Sequence, residues 1–488
     1  VKSFLNSLVG LTMIDIMDFT AHRKSMLIAP AGYGKTYTIS SSLKALSETG
    51  KQLVLTHTHA GISSIKEKVA KEGIPKSSFS IETISSFCQR YVQAFHIDND
   101  IPNQDEGSVY YSFILEKATL LLARECVSSM VKDSYSGLFV DEYQDCSISQ
   151  HNFINVLAAI LPTRILGDPL QGIFGFNGDI LVDLDNPVQM VGYADKKFEL
   201  YQPQRWMRQN NTQLGEDLKS IRQLLLSKKP IYLSSFASIE SHTWSANEVY
   251  NGYSDYAKKI RDLLNLENVL FIHPVSHTVQ PRLKFAKNFG GRLNMLESID
   301  AKELYQLAKI ADRIDVEEPI SIVREMSIML FNKTAFNRWF NDQGLKRKNS
   351  QEDKNAVFPV NEYANQMSIG CSFSSVAELL TLVSKLPDIR KYRRDLYDSI
   401  YWALKEAQND NVSVQTAMEN RRNKLRRVGR KVFGRCLGTT LLTKGLEFEN
   451  VVVLNAHEFK CPKHLYVALT RASKRLVVIS EKQTLQPL

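Results

Sequence analysis

Residues Ala29-Pro-Ala-Gly-Tyr-Gly-Lys-Thr36 have the types and spacing needed to hold a chain of phosphates. Glycines at positions 32 and 34 let backbone N–H groups curl around phosphate oxygens, Lys35 can reach the outer phosphates, and the Thr36 hydroxyl can bind Mg²⁺. Ala29 stands where the general phosphate-binding loop has glycine. A chance glycine-rich turn is the alternative, but an apolar strand before the segment and a helix after it favour a nucleotide-binding loop. The predicted nucleotide contacts here are Pro30, Ala31, Gly32, Tyr33, Gly34, Lys35 and Thr36.

The segment Leu138-Phe-Val-Asp-Glu-Tyr-Gln-Asp145 ends an apolar run with adjacent carboxylates. In an enzyme with a phosphate-binding loop, a metal ligand and a water-orienting base belong at such a position. We therefore predict that Asp141 holds Mg²⁺, directly or through water, and that Glu142 polarises the attacking water. An exposed acidic turn is the alternative; placement roughly a hundred residues after the loop favours the catalytic interpretation.

Both segments follow short apolar runs that predict strands, and helical patterns lie between those runs. The predicted strands are residues 26–29, 51–55, 137–140 and 164–166 in the first half, and 268–273, 451–455 and 475–480 in the second. Strands that alternate with helices predict a parallel α/β architecture with ligands at the carboxyl edge of the sheet. Residues 301–427 favour helices and predict a helical insertion.

Composition restricts the class of protein further. A length of 488 residues predicts two to four domains. A net charge of +9 is compatible with a polyanionic partner. No apolar run is long enough to cross a bilayer and residues 1–10 lack the pattern of a signal peptide, so the expected location is the cytoplasm, with no membrane partner.

Two further patterns have simple interpretations. The six cysteines form no C-x-x-C pair, which predicts free thiols. Basic residues crowd positions 421–435, which favours either a solvated helix face or a contact with a DNA backbone.

Four motifs, in this order, resemble those of superfamily 1 helicases of the UvrD/Rep type. They are Asp141-Glu-Tyr-Gln-Asp145, Gly167-Asp-Pro-Leu-Gln-Gly-Ile-Phe-Gly-Phe176, Thr443-Lys-Gly-Leu-Glu-Phe448 and Leu465-Tyr-Val-Ala-Leu-Thr-Arg-Ala472. The resemblance spans about residues 26–480, although residues 209–435 share little beyond architecture. It implies two RecA-like P-loop NTPase domains with parallel sheets and helical insertions, ATP and Mg²⁺ between them, and movement on single-stranded DNA from 3′ toward 5′.

The resemblance also implies roles for individual residues. Gln171 resembles the glutamine that senses the γ-phosphate, Arg471 resembles an arginine finger, and Arg205 resembles a second arginine that reaches the γ-phosphate. Gly445 and Glu447 match positions that touch the nucleotide. Surface salt bridges are the alternative for the two arginines.

The DNA contacts implied by the resemblance are Thr56, His57, Thr83, Ser86, Phe174 and Phe176. Hydroxyl groups could bind DNA phosphates, and the two phenylalanine rings could stack on unpaired bases. Both phenylalanines could equally be core residues.

Three departures from the family pattern affect base recognition. No glutamine precedes Gln52 to read adenine, and Gln204 stands where a stacking tyrosine is usual. Tyr37 occupies a position where many relatives have arginine, and we predict that its ring offers a substitute stacking surface for the nucleotide. Selectivity for adenine is expected to be relaxed.

The sequence therefore predicts an ATP-dependent helicase or translocase acting on single-stranded DNA or a duplex with a single-stranded tail. We expect a first RecA-like domain over residues 1–200 with a small helical insertion at about 85–130. A second would cover residues 201–488 with an insertion at about 300–430. One alternative is a nucleotide- and DNA-sensing subunit that regulates a partner nuclease, as in anti-phage systems such as Gabija. Another is a small-molecule kinase, which the last three motifs disfavour.

Overall fold

The structure is a computed structural model that describes residues 14–98, 100–175, 180–290, 292–296, 301–314, 318–341, 344–367, 370–391, 394–428 and 434–487. The chain divides into two compact units. One comprises residues 1–102, 111–297 and 427–488, and the other comprises residues 103–110 and 298–426. Both predicted phosphate-handling segments belong to the first unit.

A six-stranded parallel sheet forms the N-terminal part of the first unit. Its strands are β1 (Lys24–Ile28), β2 (Gln52–Thr56), β3 (Phe79–Thr83), β4 (Gly137–Val140), β5 (Thr163–Gly167) and β6 (Lys197–Glu199). They lie in the order β3-β2-β4-β5-β1-β6. The central strands β4 and β5 are buried along their whole length. Continuous burial of this kind is typical of a parallel sheet that helices cover on both faces.

A second six-stranded parallel sheet forms the other part of the same unit. The remaining strands of the chain are β7 (Ile231–Tyr232), β8 (Ile239–Thr243), β9 (Val269–Ile272), β10 (Asn294–Met295), β11 (Phe340–Asn341), β12 (Gly344–Leu345), β13 (Arg435–Gly438), β14 (Phe448–Val453), β15 (Ala472–Ser480) and β16 (Thr484–Leu485). The second sheet has the order β10-β13-β9-β14-β15-β8. Strands β7 and β16 form a small antiparallel pair.

Helices connect the strands of both sheets and form most of the second unit. They are α1 (Ile16–Ala21), α2 (Lys35–Ala45), α3 (His59–Lys71), α4 (Ile84–Phe95), α5 (Ser108–Leu122), α6 (Glu125–Ser134), α7 (Ile148–Ile160), α8 (Gln204–Arg208), α9 (Thr212–Leu226), α10 (Asp255–Leu263), α11 (Gln280–Asn288), α12 (Ala301–Ala311), α13 (Pro319–Leu330), α14 (Lys333–Trp339), α15 (Gln351–Met367), α16 (Phe373–Val383), α17 (Arg394–Asp410), α18 (Val414–Val428), α19 (Thr440–Thr443) and α20 (Pro462–Leu469).

Apolar side chains from both sheets contribute to one core of the first unit. Leu27 and Phe139 in the first sheet and Leu270 and Val451 in the second belong to the same cluster of buried residues. The second unit has its own core, formed by helices α12–α18 and the antiparallel pair β11–β12. The two sheets of the first unit therefore share one hydrophobic core.

The predicted fold class is confirmed: the protein has two six-stranded parallel sheets with many helices. The seven predicted strands correspond to β1, β2, β4, β5, β9, β14 and β15. Within the described ranges, none of the helices is both long and apolar enough to cross a membrane.

Candidate nucleotide-binding site

The loop between β1 and α2 has the backbone geometry of an anion cradle. Gly32 has φ 76° and Gly34 has φ 104°, left-handed values that glycine adopts without steric cost. Gly34 is the residue before the first turn of α2, and no side chain among the described residues caps that helix. The N–H groups of the first turn and the positive end of the helix dipole are therefore available to an anion at this point.

Helix α8 packs directly against this loop. The Arg205 N–H donates to the Gly32 carbonyl at 2.8 Å. A methyl group added at Gly32 would lie 2.8 Å from the Trp206 ring, too close for any side chain. The Trp206 indole is buried and donates to the Ala472 carbonyl at 2.9 Å. Gly32 is thus required both for its conformation and for close packing of α8.

Lys35 lies at the start of α2 and meets the carboxylates that follow β4. Its Nζ is 3.3 Å from Asp141 Oδ1 and is also in contact with Glu142 Oε1. Burial favours the neutral amine, but the two carboxylates outweigh burial and raise the pKa of Lys35 above its ordinary value. The ammonium is therefore fully charged at neutral pH and positioned for a phosphate.

The two carboxylates experience different environments. Burial, reinforced by the neighbouring Glu142, raises the pKa of Asp141 against the effect of Lys35. For Glu142, burial is outweighed by Lys35 and Lys444, which lower the pKa to about 2. Glu142 also accepts a hydrogen bond from Gln144 and has φ 55°. A non-glycine residue held in the left-handed region is often found at functional sites.

Gln171 and Arg471 connect the two sheets. Gln171 lies in the short turn after β5, and Arg471 lies between α20 and β15. The Arg471 Nη2 donates to Gln171 Oε1 at 3.2 Å, and its Nε donates to the Val467 carbonyl at 2.9 Å. Arg471 is only 2% exposed. Burial, and then the charge of Arg205, lower its pKa to about 10, so it remains a cation at neutral pH.

Arg205 is the second arginine at this junction. Its Nη1 donates to the Thr470 carbonyl at 2.5 Å, and its Nε lies 2.8 Å from Glu447 Oε2. Arg205 therefore does form a salt bridge, with the Glu447 carboxylate as its partner. Arg205 nevertheless lines the same cavity as Lys35.

One cavity of about 620 Å³ brings the predicted phosphate-handling residues together. This volume is typical of a small-molecule site. The predicted residues that line it are Pro30, Ala31, Gly32, Gly34, Lys35, Thr36, Tyr37, Asp141, Glu142, Gln171, Phe174, Arg205, Gly445, Glu447 and Arg471. Tyr33 instead packs into the core behind the loop and is 6% exposed.

The oxygen donors in this cavity suit Mg²⁺. The Thr36 hydroxyl and the Asp141 carboxylate both line it. So does Asp145, whose Oδ1 is buried and has no hydrogen-bond partner among the described residues. Carboxylate and hydroxyl oxygens are the ligands that Mg²⁺ takes in phosphate-binding sites. The predicted ligands Thr36 and Asp141 therefore fit the metal, and Asp145 is a third oxygen donor nearby.

Lys444 is a functional candidate that the sequence reasoning missed. Its Nζ contacts Asp145 Oδ2 and the Gln171 carbonyl, and lies 4.6 Å from the centre of the Phe174 ring. Burial lowers the pKa of Lys444 against the effect of Asp145, and burial likewise raises the pKa of Asp145 to about 6 against Lys444. The signal was present in the motif Thr443-Lys-Gly, because Lys444 is the neighbour of Gly445, a predicted nucleotide contact that lines the same cavity.

The predicted DNA contacts differ in their exposure to solvent. Thr56 is fully buried in β2, so its hydroxyl is not available to DNA in this conformation. His57 is partly buried against Cys146, with Nε2 3.3 Å from the sulfur; burial, and then Lys444, lower its pKa to about 4. Thr83 caps α4 by accepting from the Ser86 N–H at 3.0 Å, and Ser86 is exposed.

Of the two predicted stacking rings, Phe174 lies in the part of the chain that the structure describes. Phe174 is partly exposed at the cavity, beside Lys444. Phe176 lies outside the described residues.

In the basic run of residues 421–435, Arg421 is 3.3 Å from Glu406 and Arg435 donates to the Leu266 carbonyl at 3.1 Å. The side chains of residues 422–433 lie outside the described part.

Comparisons with known proteins give three findings. Residues 15–177 match a family model described as an AAA domain, and this range includes Lys35, Asp141, Glu142 and Gln171. A stretch of 95 residues is 30% identical to an ATP-dependent helicase/nuclease subunit of Syntrophomonas wolfei, covering 20% of this chain. The chain spans 7% of the length of that relative. The crystal structure of Pif1 helicase from Candida albicans is a distant neighbour, with a TM-score of 0.36 and 11% identity over 99% of this chain and 94% of that one.

Proposed function

We propose that this protein is an ATP-dependent motor on single-stranded DNA, a helicase or translocase of the superfamily 1 type. The observation that carries the proposal is the shared cavity, which Lys35, Arg205 and Arg471 all line. A match to an AAA domain and similarity to a helicase subunit support the general activity. Movement from 3′ toward 5′ rests on the family resemblance alone.

Hydrolysis would use the residues of this cavity in distinct roles. The loop N–H groups and Lys35 bind the phosphates, and Thr36 and Asp141 would hold Mg²⁺, which neutralises charge on the phosphate oxygens. Glu142, a carboxylate at neutral pH, orients and polarises the attacking water. Arg205 and Arg471 stabilise negative charge that develops on the transferred group.

Attachment of the arginines to the second sheet connects chemistry to movement. Arg471 precedes β15, and Arg205 is held by the Thr470 carbonyl and Glu447. A γ-phosphate that attracts both guanidinium groups would draw the second sheet toward the first, and its loss would release it. Alternating grip on the DNA strand then converts this closure into steps.

The decisive measurement is the ATPase rate of the purified protein with and without a single-stranded oligonucleotide. We expect stimulation by DNA, and a loss of roughly a hundredfold or more in Lys35→Ala, because a preorganised donor to the transferred phosphate is removed. Lys44→Ala, a change in the last turn of the same helix, is the matched control. Equal rates with and without DNA, in a protein that binds ATP, would contradict the motor assignment.

A nuclease-regulating ATPase is the second candidate, because the similar Syntrophomonas protein is named a helicase/nuclease subunit. Unwinding of a forked duplex separates the two proposals. A regulatory subunit would bind DNA and hydrolyse ATP without displacing the annealed strand.

A further inference from the structure

A chain of buried hydrogen bonds runs behind the nucleotide cavity and ends at Arg471. Arg222 Nη1 donates to Asp168 Oδ1 at 2.6 Å, and Asp168 Oδ2 accepts from Gln171 Nε2 at 2.9 Å. Gln171 Oε1 then accepts from Arg471 at 3.2 Å. Arg222 and Asp168 are buried but do not line the cavity.

The chemistry of these groups allows the Gln171 amide only one orientation. A carboxylate such as Asp168 can only accept hydrogen bonds, and a guanidinium such as Arg471 can only donate them. The amide must therefore turn its nitrogen toward Asp168 and its oxygen toward Arg471. Asp168 thus fixes which atom of Gln171 the proposed arginine finger meets.

A second branch leads from Asp168 to the proposed base. The Asp168 N–H donates to Gln144 Oε1 at 2.9 Å, and the Gln144 amide nitrogen donates to Glu142. Asp168 is 0% exposed. The residue that orients the arginine finger is therefore also tied to the group that orients water.

Arg222 supplies the cation that makes a fully buried carboxylate tolerable. It lies on α9, in a stretch where the sequence offers no motif, and its guanidinium carbon is 5.3 Å from the centre of the Tyr466 ring. Burial opposes its charge, yet Asp168 and Tyr466 together outweigh burial and raise the pKa of Arg222. Without such a partner, a fully buried carboxylate would carry an uncompensated charge in the interior.

We propose that Arg222 is a positioning residue for ATP hydrolysis, acting through Asp168 on the orientation of Gln171 and Arg471. This inference rests on the proposed function. Loss of the Arg222 guanidinium would remove the cation that donates to Asp168 Oδ1, so the carboxylate would no longer be held in place toward the Gln171 amide. The Gln171 amide could then turn over and present its nitrogen to Arg471, which repels the guanidinium.

The test is steady-state ATPase kinetics with a saturating oligonucleotide for wild type, Arg222→Met and Arg222→Lys. We expect kcat to fall by roughly tenfold or more in Arg222→Met while KM for ATP changes by less than about threefold, because transition-state contacts are lost and ground-state binding is kept. Arg222→Lys should recover part of kcat. Lys219→Met, which removes a partly exposed cation near Glu216 on the same helix, is the matched control.

A double-mutant cycle with Arg471→Ala separates positioning from a general loss of structure. If Arg222 acts through Arg471, Arg222→Met should lower kcat far less in the Arg471→Ala background than in wild type. A similar loss in both backgrounds, or a wild-type kcat in a folded Arg222→Met protein, would overturn the inference. Should Arg222→Met fail to fold, the same cycle with Asp168→Asn decides. Absence of ATPase activity in wild type would refute the proposed function instead.

Discussion

At the scale of single residues, Tyr37 stands at a position where many relatives have arginine. Its ring lines the cavity, with Lys68 Nζ at 5.0 Å and Arg208 Cζ at 5.8 Å from the ring centre. Gln204, which stands where a stacking tyrosine is usual, also lines the cavity. Both cations lie over the ring, so a nucleobase that stacks on Tyr37 would displace one of them.

Replacing Tyr37 by alanine should weaken nucleotide binding. We expect KM for ATP to rise roughly three- to tenfold, the equivalent of about 1 kcal/mol of stacking, with a smaller change in kcat. Tyr37→Phe, which keeps the ring, should behave like wild type. Because stacking is insensitive to base identity, KM for GTP should rise by a similar factor. An unchanged KM for both nucleotides in Tyr37→Ala would exclude a stacking role.

The residues of the phosphate site were accessible to sequence reasoning because each lies in a short motif. Lys35 and Glu142 needed only a loop pattern and an acidic turn, and Arg471 needed a resemblance. Arg222 was not named, and Asp168 was quoted in a motif without a role, because their roles depend on a contact between residues 54 positions apart. Thr56 shows the opposite error. It lies at a motif position and was predicted to contact DNA, but its side chain is buried, which the motif could not reveal.

At the scale of elements, the strands that sequence reasoning found are those with continuous apolar runs. β4 (Gly137–Val140) and β9 (Val269–Ile272) are central and wholly buried. β8, which reads Ile-Glu-Ser-His-Thr, and β6, which reads Lys-Phe-Glu, lie at sheet edges and were not predicted. Edge strands face solvent and carry polar residues, so they lack the apolar signal that identifies a central strand.

Edge strand β8 is instead held by charges around Glu240. This carboxylate accepts from Arg475 on β15 at 2.7 Å and meets His242 at 2.8 Å and Lys259 on α10. Burial is outweighed by hydrogen bonds from these groups, and the pKa of Glu240 falls to about 2. A depressed carboxylate pKa stabilises the fold above the ordinary pKa of glutamate, and that stability is lost as pH falls toward 2.

Glu240→Gln should therefore destabilise the protein at pH 7, and by less than half as much at pH 3. The expected loss in the free energy of unfolding at pH 7 is about 1 kcal/mol, reduced from the value implied by the pKa because the group is partly exposed to solvent. Chemical denaturation of wild type and variant at both pH values measures the difference. A loss that is equal at pH 7 and pH 3 would assign the effect to packing.

At the scale of the whole molecule, the fold class followed from alternating strands and helices. The assignment of strands to two separate sheets depended on the resemblance, because periodicity does not say which strands pair. The boundary predicted at residues 200 and 201 and the two predicted insertions remain predictions. The compact unit formed by residues 103–110 and 298–426 joins segments far apart in sequence, a feature that no local pattern can reveal.

A buried cation, Lys444, crosses from the second sheet to the first beside Phe174 at the cavity. Lys444, in the loop before β14, contacts Asp145 after β4 and the Gln171 carbonyl after β5. Its ammonium also lies 4.6 Å from the Phe174 ring, a proposed base-stacking surface. A movement of Phe174 on binding DNA would therefore displace Lys444. Because Lys444 pairs with Asp145, the displacement would reach the acidic turn that holds Glu142.

Lys444→Met should for this reason reduce stimulation of the ATPase by DNA more than the basal rate. Removing one partner of a buried pair leaves the other charge uncompensated, at a cost of roughly 3–5 kcal/mol. The single variant can therefore lose stability because Asp145 is left unpaired, whatever the role of Lys444 in stimulation. The double variant Lys444→Met, Asp145→Asn removes both charges and should recover stability but not stimulation, expressed relative to its own basal rate because Asp145 also lines the cavity as a candidate Mg²⁺ ligand. Lys474→Met, which removes an exposed cation 2.7 Å from Glu449, is the control. Normal stimulation in the folded double variant would mean that the two sheets communicate by another route, such as Arg205 and Arg471 on the nucleotide side.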